Sequence, residues 1–171
     1  EIIMLKPKPL SKDLIPRALI KANHYRLLNE AWQAESICRD ILEVEPNNQE
    51  AILYLILAIT DQFGKEEGTV KLDEAKDLCT QLNSKFEEKY YQGIIAERQG
   101  ITTLLRNRPR AKYIAYEHHR NAMEFFEDAE KIQPKDNQDA ILRWNACIRR
   151  IEEFKLTPSP EDDSVQPFLD V

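Results

Sequence analysis

"AWQAESICRDILEVEPNNQEAILYL" (31–55) decides the fold. Ala34, Cys38 and Ile41 stand four and three residues apart, which places them on one face of a helix. Pro46 stops that helix, because proline disfavours the α conformation in the residue before it. The asparagines that follow are N-cap residues, and "AILYLILAI" (51–59) begins a second helix. That apolar run is far too short to span a bilayer and reads as a helix buried on most sides.

The pattern recurs. Ala75, Cys79 and Leu82 repeat the trio, and so do Ala122, Phe126 and Ala129, which are followed by Pro134. "EPNNQEAIL" (45–53) returns as "QPKDNQDAIL" (133–142) with one residue inserted. The periods between the alanines are 41 and 47 residues, in the range of stacked helical hairpins. The small residue lets a neighbouring helix approach, and the larger one fills the space beside it. Seven helices are predicted, over about 11–27, 30–44, 48–62, 70–84, 86–106, 111–132 and 137–154. An extended lead-in (1–10) precedes a helical repeat domain (11–154). A flexible acidic tail (155–171) follows, because "LTPSPEDDSVQPFLDV" is rich in proline and acid.

The totals narrow the function. The 171 residues are 42% hydrophobic and 32% charged, with 4 glycines, which suits one folded helical domain. A net charge of −6 argues against a nucleic-acid partner. Cys38, Cys79 and Cys147 are odd in number and far apart, so they signal neither a disulfide framework nor a zinc site. They fit a reducing, cytoplasmic setting. No catalytic motif or phosphate-binding glycine turn is present. His118 and His119 are adjacent, so on a helix they point about 100° apart and make a poor metal pair. The sequence therefore predicts no enzyme, cofactor, metal or membrane span.

The repeated residues resemble the tetratricopeptide repeat (TPR) family. Ala22, Tyr25, Ala34, Cys38, Ile41 and Pro46 match its motif in a first repeat (about 15–48). Ala75, Cys79 and Leu82 match in a second (about 49–85), which lacks the closing proline and lengthens its inter-helix loop with "FGKEEGT". Gly93, Gly100, Ala122, Phe126, Ala129 and Pro134 match in a third (about 86–136), and residues 137–154 resemble the capping helix. The resemblance implies an all-α, right-handed superhelical stack of about three hairpins. It implies a protein-interaction module that binds a peptide or helix of a partner in a concave groove. Carried over through the motif, the groove residues are Leu19, Asn23 and Arg26, then Leu53, Tyr54 and Leu57, then Tyr90, Tyr91, Ile94, Glu97 and Arg98. A carboxylate clamp is not implied, because Leu19 and Tyr54 stand where that clamp needs Lys and Asn. The alternative function is a self-assembling structural protein. Its repeats or its tail, through Phe168 and Leu169, would mediate homo-oligomerisation.

Overall fold

The computed structural model describes residues 4–65 and 68–160, the side chains of 68–70 excepted. The chain is all-α. A 3-10 turn (Lys12–Leu14) leads into α1 (Ile15–Leu27), followed by α2 (Ala31–Val44), α3 (Gln49–Asp61), α4 (Gly68–Thr80), α5 (Lys85–Arg106), α6 (Ala111–Lys131) and α7 (Asp139–Glu153). Each predicted helix is present, with its ends within a few residues of the predicted ones. Among the described residues the only extended pairing is an isolated bridge between Phe63 and Lys65. The sequence suggests one repeat domain over 11–154. By its internal packing the chain divides into two compact units, Glu1–Tyr91 and Gln92–Val171, with the boundary inside α5.

In the first unit α1 packs on α2, α2 on α3, and α3 on α4, while α1 also touches α3. The core is built from the residues that the periodicity selects. Ala22, Ala34, Cys38 and Ile41 are fully buried, as are Ala51, Ile52, Ile56 and Ile59 of α3 and Ala75 and Cys79 of α4. The helix ends follow local chemistry. Asn29 closes α1 in the left-handed region (φ 61°), which asparagine tolerates better than most residues. The Glu30 N–H then donates to the Tyr25 carbonyl at 2.9 Å and the Asn29 N–H to that of Arg26, a Schellman pair that satisfies the helix's last carbonyls. Asn48 caps α3, its side-chain oxygen accepting from the Ala51 N–H at 2.9 Å. The lead-in carries no regular secondary structure over 4–10. Its Leu10 nevertheless packs against the cluster of Ile15, Leu19, Ile41 and Ala51.

In the second unit α6 packs on α7. The trio Ala122, Phe126 and Ala129 is fully buried with Ala115, His119, Ala140 and Cys147. Both glycines of α5 have a packing reason. A Cβ on Gly93 would lie 2.5 Å from Phe126 Cε1, and one on Gly100 would lie 2.5 Å from His119 Nδ1. The predicted tail needs correcting at its start. α7 ends in a second Schellman pair, with Lys155 at φ 51° and the Leu156 N–H donating to the Ile151 carbonyl at 2.9 Å. This turn returns the chain to the unit, where Leu156 and Ser159 are buried. Arg110 Nη2 donates to Ser159 Oγ at 2.9 Å. Proline and charge content mark residues 155–160 as non-helical but carry no information about this docking. Residues 161–171, with Phe168 and Leu169, lie outside the described residues.

Two substitutions test this packing. Gly93→Ala forces Phe126 to move and is expected to lower stability by about 1–3 kcal/mol in thermal or urea unfolding. Lys155→Gly removes a side chain from a left-handed position and is expected to raise stability by roughly 1 kcal/mol. An unstructured tail would make the second change neutral.

Candidate functional site

The residues predicted to meet a partner fall into three groups. In the first unit, α1 and α3 bring Asn23, Arg26, Tyr54 and Leu57 to one face, each half-buried. Arg26 Nε donates to Asp61 Oδ2 at 2.7 Å, which ties the end of α1 to the end of α3. Tyr54 donates its hydroxyl to Glu50 Oε1 at 3.0 Å. Burial, then the Glu50 carboxylate, pushes the phenol pKa above its ordinary value, and the nearby Arg26 charge partly opposes this. Tyr54 therefore stays a neutral donor. Leu53 lies beside it, also half-buried.

Leu19 needs correcting. Only 8% exposed, it belongs to the core cluster with Ile15, Ile41 and Ala51. The residue that faces solvent is its neighbour Ile20, 73% exposed, with Leu27 one heptad on at 70%. One residue along a helix turns the side chain by about 100°, so a register error of one position exchanges a core residue for a surface one. Below Leu27, a cavity of about 450 Å³ is lined by Arg26, Leu27, Asn29, Ala31, Asp61 and Lys65. The face thus offers two exposed aliphatic side chains, a phenol and a fixed ion pair.

The third predicted set is divided between the units. Tyr90 and Tyr91 lie in the first, half-buried in an aromatic run. Phe86 stacks on Tyr90 with centroids 5.8 Å apart, and Tyr91 meets Tyr90 edge-on at 5.0 Å. Ile94, Glu97 and Arg98 lie in the second. Arg98 is half-buried, but Ile94 and Glu97 are each 1% exposed, so neither is a surface contact. Ile94 belongs to the core, and Gly93 beside it lies against Phe126.

Glu97 is buried with its counter-charges. Arg150 Nη1 donates to Oε1 at 3.0 Å, and Arg143 Nη1 lies 3.5 Å from Oε2. Both arginines come from α7. The first unit holds a counterpart in Glu35 of α2, which is also buried. It accepts from Arg39 at 2.8 Å, from Gln62 at 2.6 Å and from Lys71 at 3.0 Å, while Arg39 also bridges to Glu74. Burial raises the Glu35 pKa, but the hydrogen bonds from Arg39, Gln62 and Lys71 outweigh it and leave the carboxyl below its ordinary value. Neither buried carboxylate was visible in the sequence. A glutamate that pairs with cations from other helices looks, in one dimension, like any solvated helix charge.

His119 is fully buried against Gly100. Its Nδ1 lies 2.7 Å from the Ala115 carbonyl oxygen. A carbonyl only accepts, so Nδ1 carries the proton and Nε2 presents a lone pair, for which there is no donor among the described residues. Burial lowers its pKa, Arg150 adds to the effect, and the Ala115 bond and Glu97 oppose it. The three thiols are equally inert. Burial pushes Cys38, Cys79 and Cys147 up to about 12, with the Glu35, Glu88 and Glu97 carboxylates adding to it in turn. Among the described residues no three His, Cys, Asp or Glu side chains are grouped to hold a metal ion, and no helix is long and apolar enough to cross a membrane.

His119 and Glu35 give separate pH windows. The folded state holds the His119 pKa below the ordinary 6.5, so the unfolded chain takes up the proton first as pH falls. The stability that His119 contributes is complete above 6.5 and is lost as pH falls towards the folded pKa. Glu35 acts lower. Its contribution is present above 4.5 and is lost as pH falls through its depressed folded pKa. The melting temperature is expected to fall in two stages on acidification, and His119→Gln should flatten the upper stage alone. An unchanged slope in that variant refutes the assignment.

The chain matches none of the family models, curated proteins or solved structures with which it was compared.

Proposed function

We propose that this chain is a non-enzymatic protein-interaction module, of the kind that the tetratricopeptide resemblance implies. Its hairpins α1–α2 and α3–α4 would act as successive repeats of a superhelical stack. The α1–α3 face of the first unit would receive a peptide or helix of a partner protein in the cytoplasm. One observation carries the reading. Ile20 and Leu27 stand a heptad apart on α1, out of the core, on the side where Asn23, Arg26 and Tyr54 supply polar contacts. Exposed aliphatic groups beside tyrosine and arginine are the composition of binding hot spots. The contact between α1 and α3 supports the stacked arrangement, because first helices of consecutive hairpins must touch to form a groove. Among the described residues, Glu35, His119 and the three cysteines are all buried.

The test is site-specific photo-crosslinking. A photoreactive residue at position 20 or 27 is expected to capture one partner in cells, and the same residue at Leu142 of α7 is not. With that partner purified, Ile20→Asp and Leu27→Asp should each weaken binding at least about tenfold with helix content unchanged. Tyr54→Ala should cost about 1–2 kcal/mol. Unchanged affinity in all three overturns the reading. A crosslink to the chain itself, with doubled mass by light scattering, favours the self-assembling alternative.

A further inference from the structure

The first unit has a second apolar surface, separate from the α1–α3 face. A groove runs between α1 and α2, lined by Leu10, Leu14, Ala18 and Ile37 and rimmed by Arg17, Lys21 and Asp40, with a volume of about 260 Å³. Its floor is continuous with the core, since Leu10, Ala18 and Ile37 pack on the buried Ile15, Leu19 and Ile41. Leu14, at its mouth, is 60% exposed. Leu14 at the end of the 3-10 turn and Ala18 and Lys21 of α1 follow the i, i+4, i+7 ridge along which a neighbouring helix packs. α3 shows what fills such a groove. It lies against both α1 and α2 and contributes none of this groove's lining.

Charge decides the kind of occupant. Residues 4–24 hold Lys6, Lys8, Lys12, Arg17 and Lys21 against Asp13 alone, although the whole chain carries −6. Of these, Arg17 and Lys21 form the α1 rim of the groove. Lys21 Nζ sits 5.9 Å from the centroid of the Tyr25 ring, which steadies it. The α2 rim carries the opposite sign through Asp40. The rims are therefore unlike each other, with cations along one and a carboxylate on the other. A flat anionic membrane would match neither the concavity nor the Asp40 rim.

We infer that the α1–α2 groove is a docking site for an amphipathic helix of a partner protein, one whose apolar stripe is flanked by carboxylates along one side. The apolar stripe fills the channel over Leu14, Ala18 and Ile37. The carboxylates lie along Arg17 and Lys21, and Asp40 excludes a helix that is acidic on both sides. This site does not depend on the α1–α3 reading, since the two surfaces share no lining residue.

The experiment is selection of a phage-displayed library of amphipathic helices on the full chain. Enriched sequences are expected to carry Leu, Ile or Phe at helical spacing with Asp or Glu on one flank only. A synthetic peptide of the enriched sequence should bind less tightly as salt rises. Ala18→Glu and the double change Arg17→Glu, Lys21→Glu should each weaken it at least tenfold. Arg17 and Lys21 are exposed, so the double variant is expected to melt like the parent, and Ile20→Asp should leave peptide binding unchanged. The inference is overturned if no helix is enriched, if enriched helices show no acidic flank, or if the groove variants bind as well as the parent. Displacement of the peptide by phosphatidylserine vesicles but not by neutral ones would assign the surface to a membrane. Doubled mass by light scattering that Ala18→Glu abolishes would assign it to a second copy of the chain. Either result also overturns the inference.

Discussion

Helices can pack this closely only where one of them is small. Ala22, Ala34, Ala51 and Ala75 in the first unit, and Ala115, Ala122, Ala129 and Ala140 in the second, are all wholly buried. Interaxial distances of roughly 8–10 Å leave no room for a branched side chain on both helices at the crossing. Each alanine therefore needs a bulky residue a turn or two away to fill the remaining volume, and Ile41 and Phe126 supply it. Gly93 takes the same constraint further, since Phe126 occupies the space that its Cβ would need. The choice of residue at these crossings sets which face of every helix turns inward. It thereby sets which residues are left for solvent or for a partner.

Each unit also holds one carboxylate inside. Glu35 accepts donors from α2 itself, from Gln62 at the end of α3 and from Lys71 of α4. Glu97 draws two arginines from α7. Burying such a charge costs several kcal/mol of desolvation, so a paired buried carboxylate adds little net stability compared with an apolar core. Removing one partner is another matter, because it strands the remaining charge. These pairs act as register marks. A slide of α4 against α2, or of α7 against α5, would break them, whereas an alanine crossing alone would tolerate it.

The periodicity of apolar residues was enough to read the helices and their buried trios, because burial on a helix depends on a spacing that one dimension records. The groove residues were less legible. Leu19 and Ile94 share the helical spacing of true surface residues, and only the register against the next helix shows that both point inward. Glu97 was read as a surface acid because its arginines lie about fifty residues away in sequence. The docking of Leu156 and Ser159 was equally hidden. It follows from a left-handed turn at Lys155, a residue type that gives no warning of such a turn. What the sequence lacks in each case is the long-range partner.

α1 shows where this leaves the chemistry. At 100° per residue, Ile15, Leu19 and Ala22 form its core stripe, with Ile20 and Leu27 on one flank and Ala18 and Lys21, in line with Leu14 of the preceding turn, on the other. Apolar residues thus flank the central stripe on both sides, and only the stripe is buried. α3, of the same length but more apolar, buries Ala51, Ile52, Leu55, Ile56, Ala58, Ile59 and Thr60. α1 is held by its contacts with α2 and α3 and by the Arg26–Asp61 pair. A partner on either flank would add burial to α1 and stabilise the unit in proportion to its occupancy.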